Sequence, residues 1–234
     1  GENVHLLALG IDEFIPGTGD GAERATVVRP ELTIPQVARR IRAQGGVAIA
    51  AHPGERPTWF ERISLHRGRW HDTDLARPEL DAAQIWSGTP NAGFHRAYAA
   101  WIRQLLRGRH IAAVAGSDSH GSFGRFRQVR IPWIQLVDNR NHLFASVRTV
   151  VQAHERTHRA VLDAITSGRS YLTDGPEITF TVTDGQCDYG LGEVVNGSPI
   201  GATVIARSIP EFGSIREIRL AIGFYGAREE EWLP

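Results

Sequence analysis

Two apolar runs, each followed within a few residues by a potential metal ligand, constrain the fold of this chain most. The first run, Val47–Ala51, leads directly into His52 and then a Pro-Gly pair that cannot continue a strand. The second run, Ile111–Ala115, leads through Gly-Ser to Asp118 and His120. Side chains two apart on extended backbone point the same way, so we expect Asp118 and His120 to share a face. Both runs predict strands with reactive side chains at their carboxyl ends, where α/β proteins place their chemistry.

The segments before these runs predict helices. Thr33 is a suitable N-cap for a helix that begins at Ile34, and Gly45-Gly46 ends it just before the first apolar run. A longer helix is expected over Phe94–Leu106, because its apolar residues recur at helical spacing. Further strands are predicted over Val4–Ile11 and Ala82–Trp86. Helices that alternate with strands in this way indicate an α/β domain with a parallel sheet.

The character of the sequence changes near residue 176. A last helix is predicted within Ser146–Ile165, and it ends at Gly168. Beyond it, strand patterns separated by Gly- and Asn-rich turns follow one another without a helical pattern between them, over Ile178–Val182, Ala202–Ala206 and Ile215–Ile222. We therefore expect two units: residues 1–176, and a small antiparallel β appendage over residues 177–234.

The charge balance and the cysteine count argue against several classes of partner. Basic and acidic residues are equal at 26 each, so no positive excess favours nucleic acid. No polybasic run and no long apolar stretch favours a membrane. Cys187 is the single cysteine of the sequence, which excludes an internal disulfide and a cysteine-based zinc site. We expect a small-molecule partner and a cytoplasmic protein.

Four side chains at or beside predicted strand ends are candidate metal ligands. They are His5, His52, Asp118 and His120. Imidazole and carboxylate groups suit zinc, manganese or iron(II). If the strands are parallel neighbours, all four residues should converge on one edge of the sheet. The alternative, that each merely hydrogen-bonds to a loop, accounts for any one of them but does not predict that they cluster.

Four motifs in this order resemble the polymerase-and-histidinol-phosphatase (PHP) superfamily, and within it the carbaryl-hydrolase-like metallohydrolases. The motifs are His5-Leu-Leu-Ala-Leu-Gly, Ala51-His52-Pro, Gly116-Ser-Asp-Ser-His120 and Ser170-Tyr-Leu-Thr-Asp-Gly-Pro176. Their order and approximate spacing match that superfamily across residues 1–176. The strand-rich tail is also similar to that branch.

The resemblance implies a distorted (β/α)7 barrel with two or three divalent metal ions, zinc, manganese or iron. By match to the motifs, His5 and His52 would share one metal, Asp118 would bind a second and His120 a third. Asp118 and His120 would then be the catalytic centre. A hydroxide that bridges two metals would attack phosphorus or a carbonyl carbon, and the metals would stabilise the developing oxyanion.

The sequence departs from the superfamily at its beginning. The family's His-x-His motif, the Asp-His that follows it and the bridging Glu all belong upstream of His5, and the sequence does not show them. Glu2 is not assigned as the bridge, because on extended backbone it would point away from the face of His5. The chain also has no methionine and opens directly on an apolar strand. We therefore expect residues to precede Gly1 in the natural protein.

A basic loop after the Asp/His pair is a candidate for substrate binding. Arg125 and Arg127 could hold an anionic or phosphorylated group, since guanidinium binds phosphate in a bidentate manner. The alternative is a solvated basic loop. Glu13, Glu55 and Arg56 are further candidates for the mouth of the site.

These features predict a metal-dependent hydrolase, in the first place a phosphoesterase that acts on a small anionic molecule. Hydrolysis of a carbamate, ester or amide is left open by the resemblance. A rival of a different class is a non-catalytic binding or scaffold domain that has lost its metals. The two classes differ over His52 and Asp118: substitution of either should abolish metal binding in the hydrolase and be silent in the scaffold.

Overall fold

The fold was established from a computed structural model, which describes residues 3–15, 32–64, 67–119, 127–131, 134–137 and 144–233. The α-helices in these residues are α1 (Ile34–Ala43), α2 (Trp59–Ser64), α3 (Asp72–Leu75), α4 (Ala92–Leu106) and α5 (His158–Thr166). The strands are β1 (Leu6–Leu9), β2 (Val47–Ala50), β3 (Ala82–Ser87), β4 (Ala112–Gly116), β5 (Arg127–Ile131), β6 (Ile134–Val137), β7 (Arg148–Val151), β8 (Ser170–Thr173), β9 (Glu177–Thr183), β10 (Asp188–Tyr189), β11 (Gly201–Arg207), β12 (Leu220–Ile222) and β13 (Glu231–Leu233).

A four-stranded sheet in the order β1-β2-β3-β4 forms the centre of the protein. β2 is parallel to β3, and β3 is parallel to β4, whereas β1 is antiparallel to β2. Both faces of β2 are buried: Ala48 and Ala50 pack with α1 and α4, while Val47 and Ile49 pack with α5. Burial on both faces explains why β2 is an uninterrupted apolar run rather than an alternating one.

Capping side chains set where the helices beside this sheet begin. Gln36 Oε1 accepts hydrogen bonds from Thr33 N at 2.8 Å and from Thr33 Oγ1 at 2.9 Å, at the start of α1. Asn91 Oδ1 accepts from Phe94 N at 3.0 Å at the start of α4. These bonds satisfy donors that have no partner within the helix. The helices expected from Ile34 and over residues 94–106 are therefore α1 and α4.

Asp81 fixes the register of the two central parallel strands. Its Oδ2 accepts from Ala48 N at 2.8 Å, and its own N–H donates to Ala48 O at 2.9 Å. Its Oδ1 accepts from Arg42 Nε at 3.1 Å and from Arg42 Nη2 at 2.6 Å. The carboxylate of Asp81 thus joins α1 and β2 to the residue just before β3.

The expected (β/α)7 barrel is wrong. Within the described residues the strands form one four-stranded sheet, one three-stranded sheet and three two-stranded pairs, and they close no barrel. A parallel pair needs a crossover connection, and only the β2–β3 and β3–β4 pairs are parallel among the described strands. From β5 onward each described pair is antiparallel. The protein is a mixed α/β fold with several small sheets.

The helix expected within residues 146–165 is also shorter than predicted. Arg148–Val151 is strand β7, paired with β8, and helix α5 begins at His158 after the N-cap Thr157. Thr149, Val150 and Val151 are β-branched and favour a strand. The helix does end as expected near Gly168, whose φ is 74°.

Antiparallel strands form the last part of the chain. β9 pairs with β10 and β11, and β12 pairs with β13. The third predicted tail strand is a strand over Leu220–Ile222 alone. Tyr98 of α4 contacts this region, since its OH donates to Glu230 Oε1 at 3.3 Å and its ring lies 6.5 Å from that of Trp232. No helix in the described residues has the length and apolar character needed to cross a bilayer.

Candidate functional site

His5 and His52 meet at one edge of the central sheet. Because β1 is antiparallel to β2, the amino end of β1 lies where β2 ends, and Ala51 N donates to His5 O at 3.1 Å. His5 Nδ1 lies 3.2 Å from His52 Nε2, and the two rings are nearly perpendicular at 79°. The antiparallel direction of β1 thus explains how a histidine at the start of a strand joins a histidine that follows one.

Asp118 follows β4 at the same edge, since β2 and β4 are both parallel to β3. Its backbone φ is 50°, and that of His52 is 33°. Such left-handed conformations cost non-glycine residues on the order of 1 kcal/mol or more, and they persist where the surroundings enforce them. We expected Asp118 and His120 to share a face because we assumed an extended backbone. The backbone at Asp118 is left-handed rather than extended, so this assumption does not hold there.

A polar network holds the carboxyl end of β4 in place before Asp118. Thr149 Oγ1 accepts from Ala115 N at 2.8 Å and donates to Ala115 O at 3.0 Å. Gly116 O accepts from Gln84 Nε2 at 3.3 Å and from Gly88 N at 3.1 Å. Gln84 and Thr149 were not among the residues predicted to position the site. Gln84 could have been found from the sequence, because it is a polar residue inside the otherwise apolar strand pattern of β3.

Burial lowers the pKa of His52, and the neighbouring His5 lowers it further, while Asp118 and Glu55 act in the opposite direction. Desolvation is the largest of these effects, so His52 favours the neutral imidazole. A neutral ring has a nitrogen lone pair that can accept a proton or bind a cation. The effect of Asp118 on this pKa also shows that its carboxylate lies close enough to act on His52 electrostatically.

The two histidines fit a pair of ligands on one ion. Tetrahedral zinc, with Zn–N distances of about 2.0–2.1 Å, separates two nitrogen ligands by about 3.3 Å. The observed 3.2 Å is close to this value, and it equally suits an N–H···N hydrogen bond. Among the described residues, no group of three or more His, Cys, Asp or Glu side chains is arranged to hold a metal. The described part of the chain therefore brings together two neighbouring imidazoles and a carboxylate that acts on one of them electrostatically.

The other predicted site residues are placed as follows. His120 and Arg125 lie outside the described residues. Arg127 begins strand β5, and its side chain lies outside the described part of the structure. Glu13 N donates to Gln44 Oε1 at 2.8 Å, and its side chain is exposed.

A cleft of 630 Å³ lies beside the loop that begins at His52. Residues 53–56 form one wall, residues 69–73 and Leu75 a second, and residues of α4 a third. Glu55 and Arg56, named as candidates for the mouth of the site, line this cleft. The arginines from the other two walls, Arg69, Arg96 and Arg103, were missed. Arg69 lies in the segment 54–80, which shows no clear periodicity, and the sequence does not show that Arg96 and Arg103 of α4 lie beside this loop.

Two sequence comparisons identify no family for this chain. A scan against protein-family models finds no match, and no curated protein matches the sequence. The likeness to the PHP superfamily therefore depends on the quoted motifs alone.

Proposed function

We propose that this protein is a metal-dependent hydrolase of PHP type, in the first place a phosphoesterase. The main supporting observation is the 3.2 Å approach of His5 Nδ1 to His52 Nε2 at a sheet edge shared with Asp118. The three residues come from segments up to about a hundred positions apart in the chain. Their placement at one edge favours a common chemical role over three separate loop contacts.

Each residue has a distinct part in this proposal. His5 and His52 would hold one divalent ion, Asp118 would hold a second, and His120 a third. A divalent cation supplies Lewis-acid polarisation of a phosphoryl or carbonyl oxygen and lowers the pKa of water. His52 suits a ligand role because burial keeps its imidazole neutral. The left-handed turns at His52 and Asp118 direct the chain away from the strands at this edge.

The partner in this proposal is a small anionic molecule. Equal numbers of acidic and basic residues give no reason to expect nucleic acid. Cys187 is exposed and has a free thiol, which suits a reducing compartment such as the cytoplasm. Carbamate, ester and amide substrates stay open until substrates are screened.

Metal content tests the proposal directly. The purified protein is incubated with zinc, manganese or iron(II), separated from free metal, and analysed for metal per mole of protein. We expect about two or three equivalents, reduced in His52→Ala and in Asp118→Ala. His154→Ala is the matched control, because His154 is exposed on the loop before α5. Circular dichroism of every variant checks that the fold is retained.

Two outcomes decide the matter. Metal that is bound by the unchanged protein and by His154→Ala, but lost in the two site variants, supports the hydrolase. A screen of phosphate, carbamate and carboxylate esters then identifies the bond that is cleaved. Less than half an equivalent in the unchanged protein, not restored by added metal, would contradict the proposal and leave a non-catalytic binding domain.

A further inference from the structure

The cleft beside the His52 loop is strongly basic. Four arginines line it, contributed by all three of its walls: Arg56, Arg69, Arg96 and Arg103. Two carboxylates, Glu55 and Asp72, also line it. Taken as formal charges, the lining side chains sum to plus two. A concave surface with excess positive charge attracts anions more strongly than a flat one.

Arg103 is already neutralised within the protein. Arg103 Nε donates to Asp72 Oδ2 at 2.8 Å, and Arg103 Nη2 donates to Asp72 Oδ1 at 3.0 Å. This bidentate pair lowers the pKa of Asp72 and raises that of Arg103, so both stay charged. Glu55 accepts from Asn91 Nδ2 at 3.3 Å. The pairing of Asp72 leaves Glu55 as the other carboxylate facing the remaining arginines.

Arg56 and Arg96 have donors that the described residues leave unused. Arg96 Nε donates to Gly54 O at 2.8 Å, which fixes its guanidinium beside the loop. No hydrogen bond or ion pair to a described residue engages its two Nη atoms or the side chain of Arg56. Arg96 is half-buried, and Arg56 is exposed. Guanidinium groups with free N–H donors at a cleft are the groups with which proteins bind phosphate or carboxylate.

The cleft also has an apolar wall. Trp70 lines it, and its Nε1 donates to Ala51 O at 3.0 Å, which anchors the indole next to His52. Leu75 and Ala100 add aliphatic surface. A volume of 630 Å³ lies within the usual range for small-molecule sites. The ligand that fits has an anionic group for the arginines and an apolar, planar body for the tryptophan wall.

We infer that this cleft binds the anionic end of a small aromatic or apolar molecule, with Arg56 and Arg96 as the anion-binding residues. As a substrate-recognition site this rests on the proposed function, because the cleft shares the loop that starts at His52. As a binding site it does not depend on metal or on hydrolysis. The cleft, rather than the loop of Arg125 and Arg127, is then the place where an anionic group is recognised.

Binding of phenylphosphonate to the purified protein, measured by calorimetry and by tryptophan fluorescence, tests this inference. Its P–C bond is not hydrolysed, so turnover does not interfere. We expect it to bind at least about tenfold more tightly than inorganic phosphate, because its ring buries apolar surface. Benzoate distinguishes carboxylate from phosphate as the preferred anion, and phenol tests whether an anion is needed at all.

Three substitutions locate the binding. Arg56→Ala should weaken phenylphosphonate binding about tenfold, the usual loss for a hydrogen bond to a charged group. Arg96→Lys should weaken it in the same direction, since lysine keeps the charge but loses the planar fork. Arg40→Ala is the matched control: Arg40 is exposed on α1 and does not line the cleft. Phenol that binds as tightly as phenylphosphonate, or an Arg56→Ala variant that binds as tightly as Arg40→Ala, would overturn the inference.

The same measurements separate this inference from the proposed function. His52→Gln should lose metal yet bind phenylphosphonate, and Arg56→Ala should keep its metal while binding the anion weakly. A protein that binds no metal but shows the arginine-dependent anion affinity refutes the hydrolase and supports the cleft. A protein that binds metal as expected, with an anion affinity that none of the arginine variants changes, overturns the cleft alone.

Discussion

Gly54 allows the loop after His52 to lie directly against helix α4. A Cβ atom placed on Gly54 would lie 2.6 Å from Ala97 N and 2.9 Å from Ala97 Cβ, and it would overlap Gly93 O. Real Cβ atoms essentially never approach another heavy atom to under 3.0 Å. All three neighbours belong to the backbone or first side-chain atom of one helix, so none can move aside by a rotamer change. Gly54→Ala must therefore push the loop and the helix apart.

The loss of unfolding free energy in Gly54→Ala can be estimated from the contacts between the loop and α4 that it pushes apart. Added volume in a packed contact costs about 1–3 kcal/mol. A gap of 0.5–1 Å also forfeits a quarter to a half of each dispersion contact across it. Because the overlapping atoms are backbone, we expect a value at the upper end, about 3 kcal/mol of unfolding free energy. The hydrogen bond from Arg96 Nε to Gly54 O crosses the same contact and should weaken as well.

Urea denaturation followed by tryptophan fluorescence measures this loss. Gly201→Ala is the matched control, since its added Cβ would lie no closer than 3.6 Å to its nearest neighbour, Thr183 Cγ2. We expect Gly201→Ala to change the unfolding free energy by less than about 0.5 kcal/mol. A Gly54→Ala protein as stable as this control would refute the close approach of the loop to α4. Phenylphosphonate binding should also fall in Gly54→Ala, because the two walls that bear Arg56 and Arg96 shift.

Three further results are expected. Asp81→Ala should destabilise the protein by about 2 kcal/mol in urea denaturation, because it leaves the N–H of the fully buried Ala48 without its acceptor; Asp81→Asn should restore part of this. Since burial lowers the pKa of His52 in the folded state, the unfolded chain binds the proton more readily; stability should therefore fall as pH drops below about 6.5, and less steeply in His52→Gln. Burial and the charge of Glu230 raise the pKa of Tyr98 to about 12, so an absorbance titration should show a late-ionising component that decreases in Tyr98→Phe. An unfolding free energy that falls with pH as steeply in His52→Gln as in the unchanged protein would contradict the assignment of His52. An unchanged absorbance titration in Tyr98→Phe would contradict that of Tyr98.

Local sequence signals were sufficient to predict the elements whose ends are fixed by local chemistry. The start of α1 follows from Thr33 and Gln36, and its end from the glycine pair before β2. The apolar face of helix α4 was sufficient to predict the helix and its end at Leu106, although it begins at Ala92, two residues before the expected Phe94, after the cap Asn91. In each case the residues that decide the boundary lie within a few positions of it, so a short window of sequence contains the information.

Pairing direction could not be predicted in this way. Nothing within residues 4–11 shows that β1 runs antiparallel to β2, because that direction is set by contacts about forty residues away. The β7 strand shows a second limit: its apolar residues fit helical spacing equally well, and its tertiary contact with Ala115 decides the outcome. The barrel was inferred from the resemblance to a family rather than from local sequence signals. That inference is wrong because the described strand pairs from β5 onward are antiparallel.

Backbone strain supplies an argument for function that the sequence did not contain. His52, Asp118 and Ala145 are the described non-glycine residues with positive φ, and two of these three are predicted metal ligands. Proteins concentrate such costly conformations at binding and catalytic sites, where the geometry of a side chain matters more than the stability of its backbone. A turn whose only role were to connect a strand to a helix would favour glycine at this position. An imidazole and a carboxylate at two left-handed positions on one sheet edge therefore support the metal-binding role proposed for His52 and Asp118.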